Sequence, residues 1–154
     1  MMKPLTFAEK ILGANAGAIV FAKPDIVLTH DNTASIYKTF LKMGGTRVAF
    51  PGQLLVVLDH NAPPADAKLA TQYQDIRNIV AEQGISKFYD AGRGICHQIM
   101  SYHALPGMLI TGSDSHTSTA GAFNGFAAGI DRTEAACLWK KGETWFRVPD
   151  SIKI

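Results

Sequence analysis

At 154 residues the chain has room for one domain with a sizeable core and little room for a second. Its 47% apolar and 18% charged residues suit an ordinary globular protein, and a net charge of +2 with scattered Lys and Arg offers no patch for nucleic acid or anionic membranes. No apolar run approaches the roughly 20 residues that span a bilayer.

The elements follow in chain order. Thr6-Phe-Ala-Glu9 is a capping-box pattern that predicts a first helix from there to about Ala14. Pro24 to His30 reads as a short buried strand. A helix is expected from near Ala34 to Met43, with Ile36, Tyr37, Phe40 and Leu41 on its apolar face and Gly44 closing it. Leu54 to Leu58 is the clearest strand, and it ends abruptly in Asp59-His60-Asn61. Residues 65–83 carry Leu69, Tyr73, Ile76, Ile79 and Val80 at helical spacing, with Gly84 as the stop. Lys87 to Asp90 and Met108 to Thr111 are further strand candidates, and His103 is placed in a helix. Residues 120–130 are rich in Gly and Ala, which suits close backbone packing. A last helix near Thr133 to Trp139 precedes Thr144-Trp-Phe-Arg-Val148. Apolar strands alternating with helices predict an α/β domain with a mainly parallel sheet.

Polar, proton-active residues repeatedly follow the ends of these strands: His30-Asp31, Asp59-His60, and Asp114-Ser115-His116. In open parallel sheets ligands sit outside the carboxyl ends of the strands, so these groups are expected to converge on one crevice. A carboxylate bound to one imidazole nitrogen fixes the tautomer and raises the basicity of the other. Asp59-His60 fits that preparation, and a turn with a solvated histidine fits it equally. Gly92-Arg-Gly-Ile-Cys-His97-Gln98 brings a further histidine behind glycines; Arg93 reads as a surface residue and Cys96 as a buried thiol. Ser115 beside His116 invites a hydrolase reading, but G-x-S-x-G spacing is absent, and Asp114 with His116 suits acid–base work better. Five histidines without a repeated ligand spacing predict no zinc site.

Seven segments carry a resemblance: Ala8-Glu-Lys-Ile-Leu12, Leu58-Asp-His60, Gly94-Ile-Cys-His97-Gln98, Pro106-Gly107, Gly112-Ser-Asp-Ser-His-Thr117, Gly121-Ala-Phe-Asn-Gly125 and Trp145-Phe-Arg-Val-Pro149. In this order they resemble the aconitase superfamily, most closely the N-terminal portion of its 3-isopropylmalate dehydratase large-subunit branch. Asp-Ser-His-Thr with the downstream Gly-Ala-Phe is the specific part; Asp-His alone is not.

The resemblance implies a three-layer α/β/α iron–sulfur domain, present here incomplete over residues 1–154, with no second domain. It implies a hydro-lyase that dehydrates a small hydroxy acid and rehydrates the alkene, with a [4Fe-4S] cluster as Lewis acid. By the same resemblance Asp59 and His60 help to protonate the leaving hydroxyl. His97, Asp114, Ser115 and His116 stand around cluster and substrate, and His30 lies near the substrate. The family's three cluster cysteines include a C-x-x-C pair, and Cys96 and Cys137 match neither the positions nor the spacing, so no metal ligand is assigned in this sequence.

The implied partners are a small subunit and the remainder of a large subunit. The chain alone is expected to be inactive and prone to self-association through uncovered faces. Homoaconitase-, aconitase- and dimethylmalate-type dehydratases are alternative activities, and a non-catalytic binding module is the alternative of another class. With two unpaired cysteines, and no apolar h-region in MMKPLTFAEK, the cytoplasm is the expected compartment. At Gly129-Ile-Asp131 many relatives carry a second glycine, so Asp131 is expected to strain a left-handed backbone there.

Overall fold

The computed structural model describes residues 4–152, so Met1 to Lys3 at the start of the leader reading lie outside it. Five strands, β2 (Ile26–Thr29), β3 (Leu54–Val57), β4 (Lys87–Tyr89), β5 (Leu109–Gly112) and β6 (Phe126–Gly129), form one wholly parallel sheet in the order β4-β3-β2-β5-β6. The chain builds outward from β2 in one direction and then, after β4, in the other. That is the doubly wound order, and it places a switch point between β2 and β5.

Strand alternation divides the core between two faces. Val27, Leu54, Val56 and Leu58 pack against α2 (Thr33–Lys42), α3 (Ala67–Gln83) and α5 (Arg132–Lys141) through Ile36, Phe40, Tyr73, Ile76, Leu138 and Trp139. Ile26, Leu28, Leu55, Val57 and Ile110 face the short helix α4 (Cys96–Met100) and a 3-10 segment, Ser115–Phe123, through Cys96, Ile99, Met100 and Ala120. The result is the expected three-layer α/β/α domain.

Helix ends obey their local chemistry. Thr6 caps α1 (Phe7–Leu12) in a reciprocal capping box with Glu9, and Gly13 closes it in the left-handed region. Asp66 caps α3, and Gly84 ends it at φ 69°. In α2 the predicted face is only partly right: Ile36 and Phe40 are buried, whereas Leu41 is exposed.

Two expectations are corrected. Asp131 has φ −77° and caps α5, accepting from the Thr133 and Glu134 N–H groups, so it is unstrained and has a role. His103 lies in a turn after α4, not in a helix, and its Nε2 meets the Tyr89 hydroxyl at 2.7 Å. The Gly/Ala-rich stretch contains β6, and a two-stranded antiparallel ribbon, β1 (Ile19–Ala22) with β7 (Thr144–Arg147), stands outside the main sheet.

Candidate active site

Three strand ends meet at the switch point. His30, Asp31 and Asn32 follow β2; Asp59 and His60 follow β3; Ser113 and Asp114 follow β5. His97 arrives from α4, and His116 opens the 3-10 segment. Asp59, His60, Ile95, Cys96, His97, Asp114 and His116 line a cleft of about 350 Å³.

Asp114 is the hub, with its side chain only 9% exposed. Its Oδ1 accepts the backbone N–H of His116 at 2.7 Å and lies 3.1 Å from His97 Nε2 and 3.4 Å from His116 Nδ1. Its Oδ2 lies 3.2 Å from His60 Nε2. The other ring nitrogen of His60, Nδ1, is 2.7 Å from Asp59 Oδ1, so this imidazole bridges two carboxylates. Asp59 Oδ2 accepts the Cys96 N–H at 2.7 Å, which ties the β3 loop to α4.

The charges follow from these bonds. Burial raises the carboxyls of Asp59 and Asp114. Opposing effects, each smaller than burial but larger in sum, leave both below the ordinary carboxylate range: the Cys96 N–H and His60 at Asp59; the His116 N–H, the nearby His97 and His30 imidazoles, and the His60 bond at Asp114. Burial alone would lower His60, but Asp59 and Asp114 outweigh it and hold the imidazole above its usual value.

His30 goes the other way: burial, then the neighbouring His60, lowers it. The two rings stack with centroids 3.9 Å apart. The Asn32 amide fixes the His30 tautomer. Its Nδ2 must donate to the Ser113 carbonyl (3.1 Å) while its Oδ1 accepts from the Ser113 hydroxyl, so Nδ2 also donates to His30 Nε2 at 2.8 Å. The proton therefore sits on Nδ1, which is buried with no partner among the described residues.

The site thus pairs an imidazole whose pKa is raised between carboxylates with a stacked imidazole whose pKa is lowered. Such a pair can deliver a proton from one ring without charging the other. The structure brings His30, Asp59, His60, His97, Asp114 and His116 together. Ser115 is exposed, and its hydroxyl reaches only the adjacent His116 Nδ1, at 3.5 Å. The same Nδ1 of His116 faces the Asp114 carboxylate, so among the described residues no base offers Ser115 one ring nitrogen while a carboxylate orients the other, as a hydrolase nucleophile requires.

Two supports have no assigned role in the sequence reading. Asp31, buried at 4%, accepts both the Asn61 N–H (2.6 Å) and its Nδ2 (2.8 Å) on Oδ2, with the Tyr73 hydroxyl at 2.9 Å. Its Oδ1 accepts the Asp59 N–H at 3.2 Å, so one carboxylate pins the loop that presents Asp59 and His60. Asn32 is the other, clamping the ends of β2 and β5 together. The signal available was a repeated triplet, His30-Asp31-Asn32 beside Asp59-His60-Asn61.

Close packing sets the loop after β5. A Cβ on Gly112 would meet Thr117 Oγ1 at 2.4 Å and Leu28 Cβ at 2.9 Å, so only glycine lets Thr117 tuck beneath Asp114 and bond to its carbonyl at 2.7 Å.

The thiols do not suit an iron–sulfur cluster. Cys96 is buried in the α4-side core, where burial and then its bond to Asp59 push the thiol up and keep it protonated. Cys137 lies on α5 against Met43 Sδ at 3.7 Å, on the opposite side of the sheet. These residues supply no converging thiolate set.

A doubly wound parallel sheet that gathers imidazoles and carboxylates at its switch point defines an α/β domain whose proton-active groups share one crevice. The sequence specifies which one: residues 6–154 match the aconitase family (aconitate hydratase) model, and the chain belongs to that family. It is 38% identical to a probable 3-isopropylmalate dehydratase large subunit of Methanothermobacter thermautotrophicus, over 97% of this chain and 38% of that protein. It is 42% identical to a 3-isopropylmalate dehydratase large subunit of Pyrococcus furiosus, over 99% of this chain and 39% of the relative. A methanogen homoaconitase large subunit of Methanocaldococcus jannaschii is 38% identical over 97% of this chain and 37% of its own length. The chain therefore spans less than two-fifths of the curated relatives it matches.

Proposed function

We propose that this chain forms the acid–base wall of a hydro-lyase that interconverts 2-isopropylmalate and 3-isopropylmalate, the isomerisation step of leucine biosynthesis. The observation that supports it most is the Asp59–His60–Asp114 bridge, set at the switch-point edge of an aconitase-family sheet. Dehydration of a hydroxy acid must protonate the departing hydroxyl, and His60, whose proton two carboxylates hold more tightly than usual, is the residue placed to do so. Asp59 orients it through Nδ1, Asp114 holds Nε2 until a hydroxyl displaces it, and the cleft at His97 and His116 receives the substrate carboxylates. Ser115 and the neutral His30 add hydrogen-bonding groups at the rim and floor.

The cofactor implied for this reaction is a [4Fe-4S] cluster, whose open iron would act as Lewis acid. Its thiolates would come from residues other than Cys96 and Cys137, and with them from the remainder of a large subunit. A small subunit is the further partner, since the named relatives are large subunits. By this reading the chain alone does not turn over, and it works in the cytoplasm. A homoaconitase-type substrate is the second reading, favoured by the 38% identity to the Methanocaldococcus jannaschii protein.

The experiment is anaerobic reconstitution of the chain with a cysteine-bearing remainder and small subunit from the Methanothermobacter thermautotrophicus relative. Alkene absorbance is then followed with 3-isopropylmalate and with homocitrate as substrates. Absorbance growth with 3-isopropylmalate supports the first reading and growth with homocitrate alone the second; a reconstituted, iron-loaded complex silent with both overturns the enzyme reading.

A further inference from the structure

Ligand spacing along the sequence predicts no metal, but spacing only reports ligands that share one element. Here Asp114 and His116 flank one residue at the start of the 3-10 segment, and only the fold brings His97 to them from α4. We propose that His97 Nε2, Asp114 Oδ1 and His116 Nδ1 form a three-ligand site for a single divalent transition-metal ion of the Zn²⁺, Co²⁺ or Fe²⁺ class. This goes beyond the dehydration reading and does not rest on it.

The distances carry the argument. Two donors on a tetrahedral ion with bonds of about 2.0–2.1 Å stand about 3.3 Å apart. His97 Nε2 and His116 Nδ1 lie 3.1 and 3.4 Å from the same oxygen, Asp114 Oδ1, and ligand atoms of all three residues fall within 4.8 Å of one another. The two imidazole–carboxylate separations thus already match those of a tetrahedral ion's donors.

The carboxylate is already oriented as a metal ligand is. Its Oδ1 is anchored by the His116 N–H at 2.7 Å, and its Oδ2 faces His60 Nε2, itself backed by Asp59. A ligand carboxylate held from behind in this way is the usual outer support of a metal site. Two imidazoles, His97 and His116, converge on the one oxygen Oδ1, while His60 occupies Oδ2 and leaves Oδ1 to them.

The donor set selects the metal. Two imidazoles and one carboxylate favour a borderline transition ion over Mg²⁺ or Ca²⁺, which prefer all-oxygen shells. Three protein ligands leave the remaining position open to the cleft, on the side where the His116 side chain is 77% exposed. That open position would hold water or a substrate oxygen.

The test is titration of the apo 154-residue chain with Co²⁺, read by visible d–d absorption, followed by Zn²⁺ displacement. Intense bands of a low-coordinate ion that saturate at about one equivalent are expected. His116→Ala and His97→Ala should each weaken Co²⁺ binding at least about tenfold, and His60→Ala, which acts through Asp114, by about 10- to 100-fold. His103→Ala, bonded to Tyr89, should leave the titration unchanged. His116 decides the matter, because its exposed ring can be removed without disturbing the core. Bands no stronger than those of aqueous Co²⁺ would overturn the site, as would bands that survive both His97→Ala and His116→Ala. Loss of the bands in His30→Ala with full retention in His116→Ala would overturn it too, by moving the ion to the His30–His60 side.

Discussion

Asp31 is the residue whose loss should be felt most widely, and Asp31→Ala tests how the site is held. Four donors converge on its carboxylate, at 2.6, 2.8, 2.9 and 3.2 Å. The two from Asn61 belong to an exposed residue and can turn to water, so losing them costs about 0.5 kcal/mol each. The Tyr73 hydroxyl belongs to a residue 1% exposed and is left unpartnered, at about 1–3 kcal/mol. With the Asp59 N–H, the total is about 3–4 kcal/mol, a large part of the 5–15 kcal/mol typical of a domain. Urea unfolding of the single variants and the double variant with Tyr73→Phe measures it. In the Tyr73→Phe background no hydroxyl is stranded, so Asp31→Ala should cost less there by about 1–2 kcal/mol. A destabilisation under about 0.5 kcal/mol, or full additivity of the two changes, would refute the reasoning.

Other outcomes follow from the same geometry. In NMR titration of the imidazoles, His60 should titrate above the ordinary value of about 6.5 and His30 below it; the reverse order would contradict the bridging assignment. Because the folded His60 value is raised, its stabilising effect is fully present below the unfolded value and is lost as pH rises through the folded one. A urea midpoint that rises across that window, in wild type but not in His60→Ala, would sink this linkage. Gly112→Ala should cost about 1–3 kcal/mol and move the Asp114 loop, since the added methyl meets Thr117 and Leu28; near-wild-type thermal stability would show the loop can yield. On the ribbon, Ile19, Phe21 and Trp145 are 67, 71 and 51% exposed, and Phe21 pairs directly with Trp145. Phe21→Ser with Trp145→Ser should reduce self-association in sedimentation velocity, and a monomeric wild-type chain would remove the premise.

Much of the frame is legible in the sequence, because it rests on local rules. The Thr6 box, the Gly84 stop and the uniform apolar run 54–58 act through neighbours a few residues away. The elements missed are those that tertiary contacts create. Phe126-Ala-Ala-Gly129 has weak strand propensity and becomes β6 only by pairing with β5. Ile19 and Phe21 show alternation too short to read, and their partner strand lies 122 or more residues further on. Asp131 was misjudged because a missing glycine suggested strain where the backbone is extended and a helix begins.

The site divides in the same way. Strand-end residues are visible because a parallel sheet gathers its carboxyl ends, so His30, Asp59, His60 and Asp114 could be grouped before any coordinates. Besides local bonds such as Asp59 to His60, the bonds that clamp the strand ends together run between residues 28 to 81 positions apart, such as Asp31 to Asp59 and Asn32 to Ser113, and no local pattern encodes those. Cys96 was read correctly as a buried thiol, and its backbone N–H proves to matter more to the site than its sulfur.

The most direct test of the acid–base wall is a chimaera. Residues 6–154, the part matched to the family, replace the corresponding segment of the Methanothermobacter thermautotrophicus large subunit, and turnover of 3-isopropylmalate is measured anaerobically with and without His60→Ala. An active chimaera is expected, its turnover falling by about 10²- to 10⁴-fold when His60 is removed, with iron content unchanged. A folded, iron-loaded chimaera that is inactive, or one whose rate is indifferent to His60, would contradict that expectation.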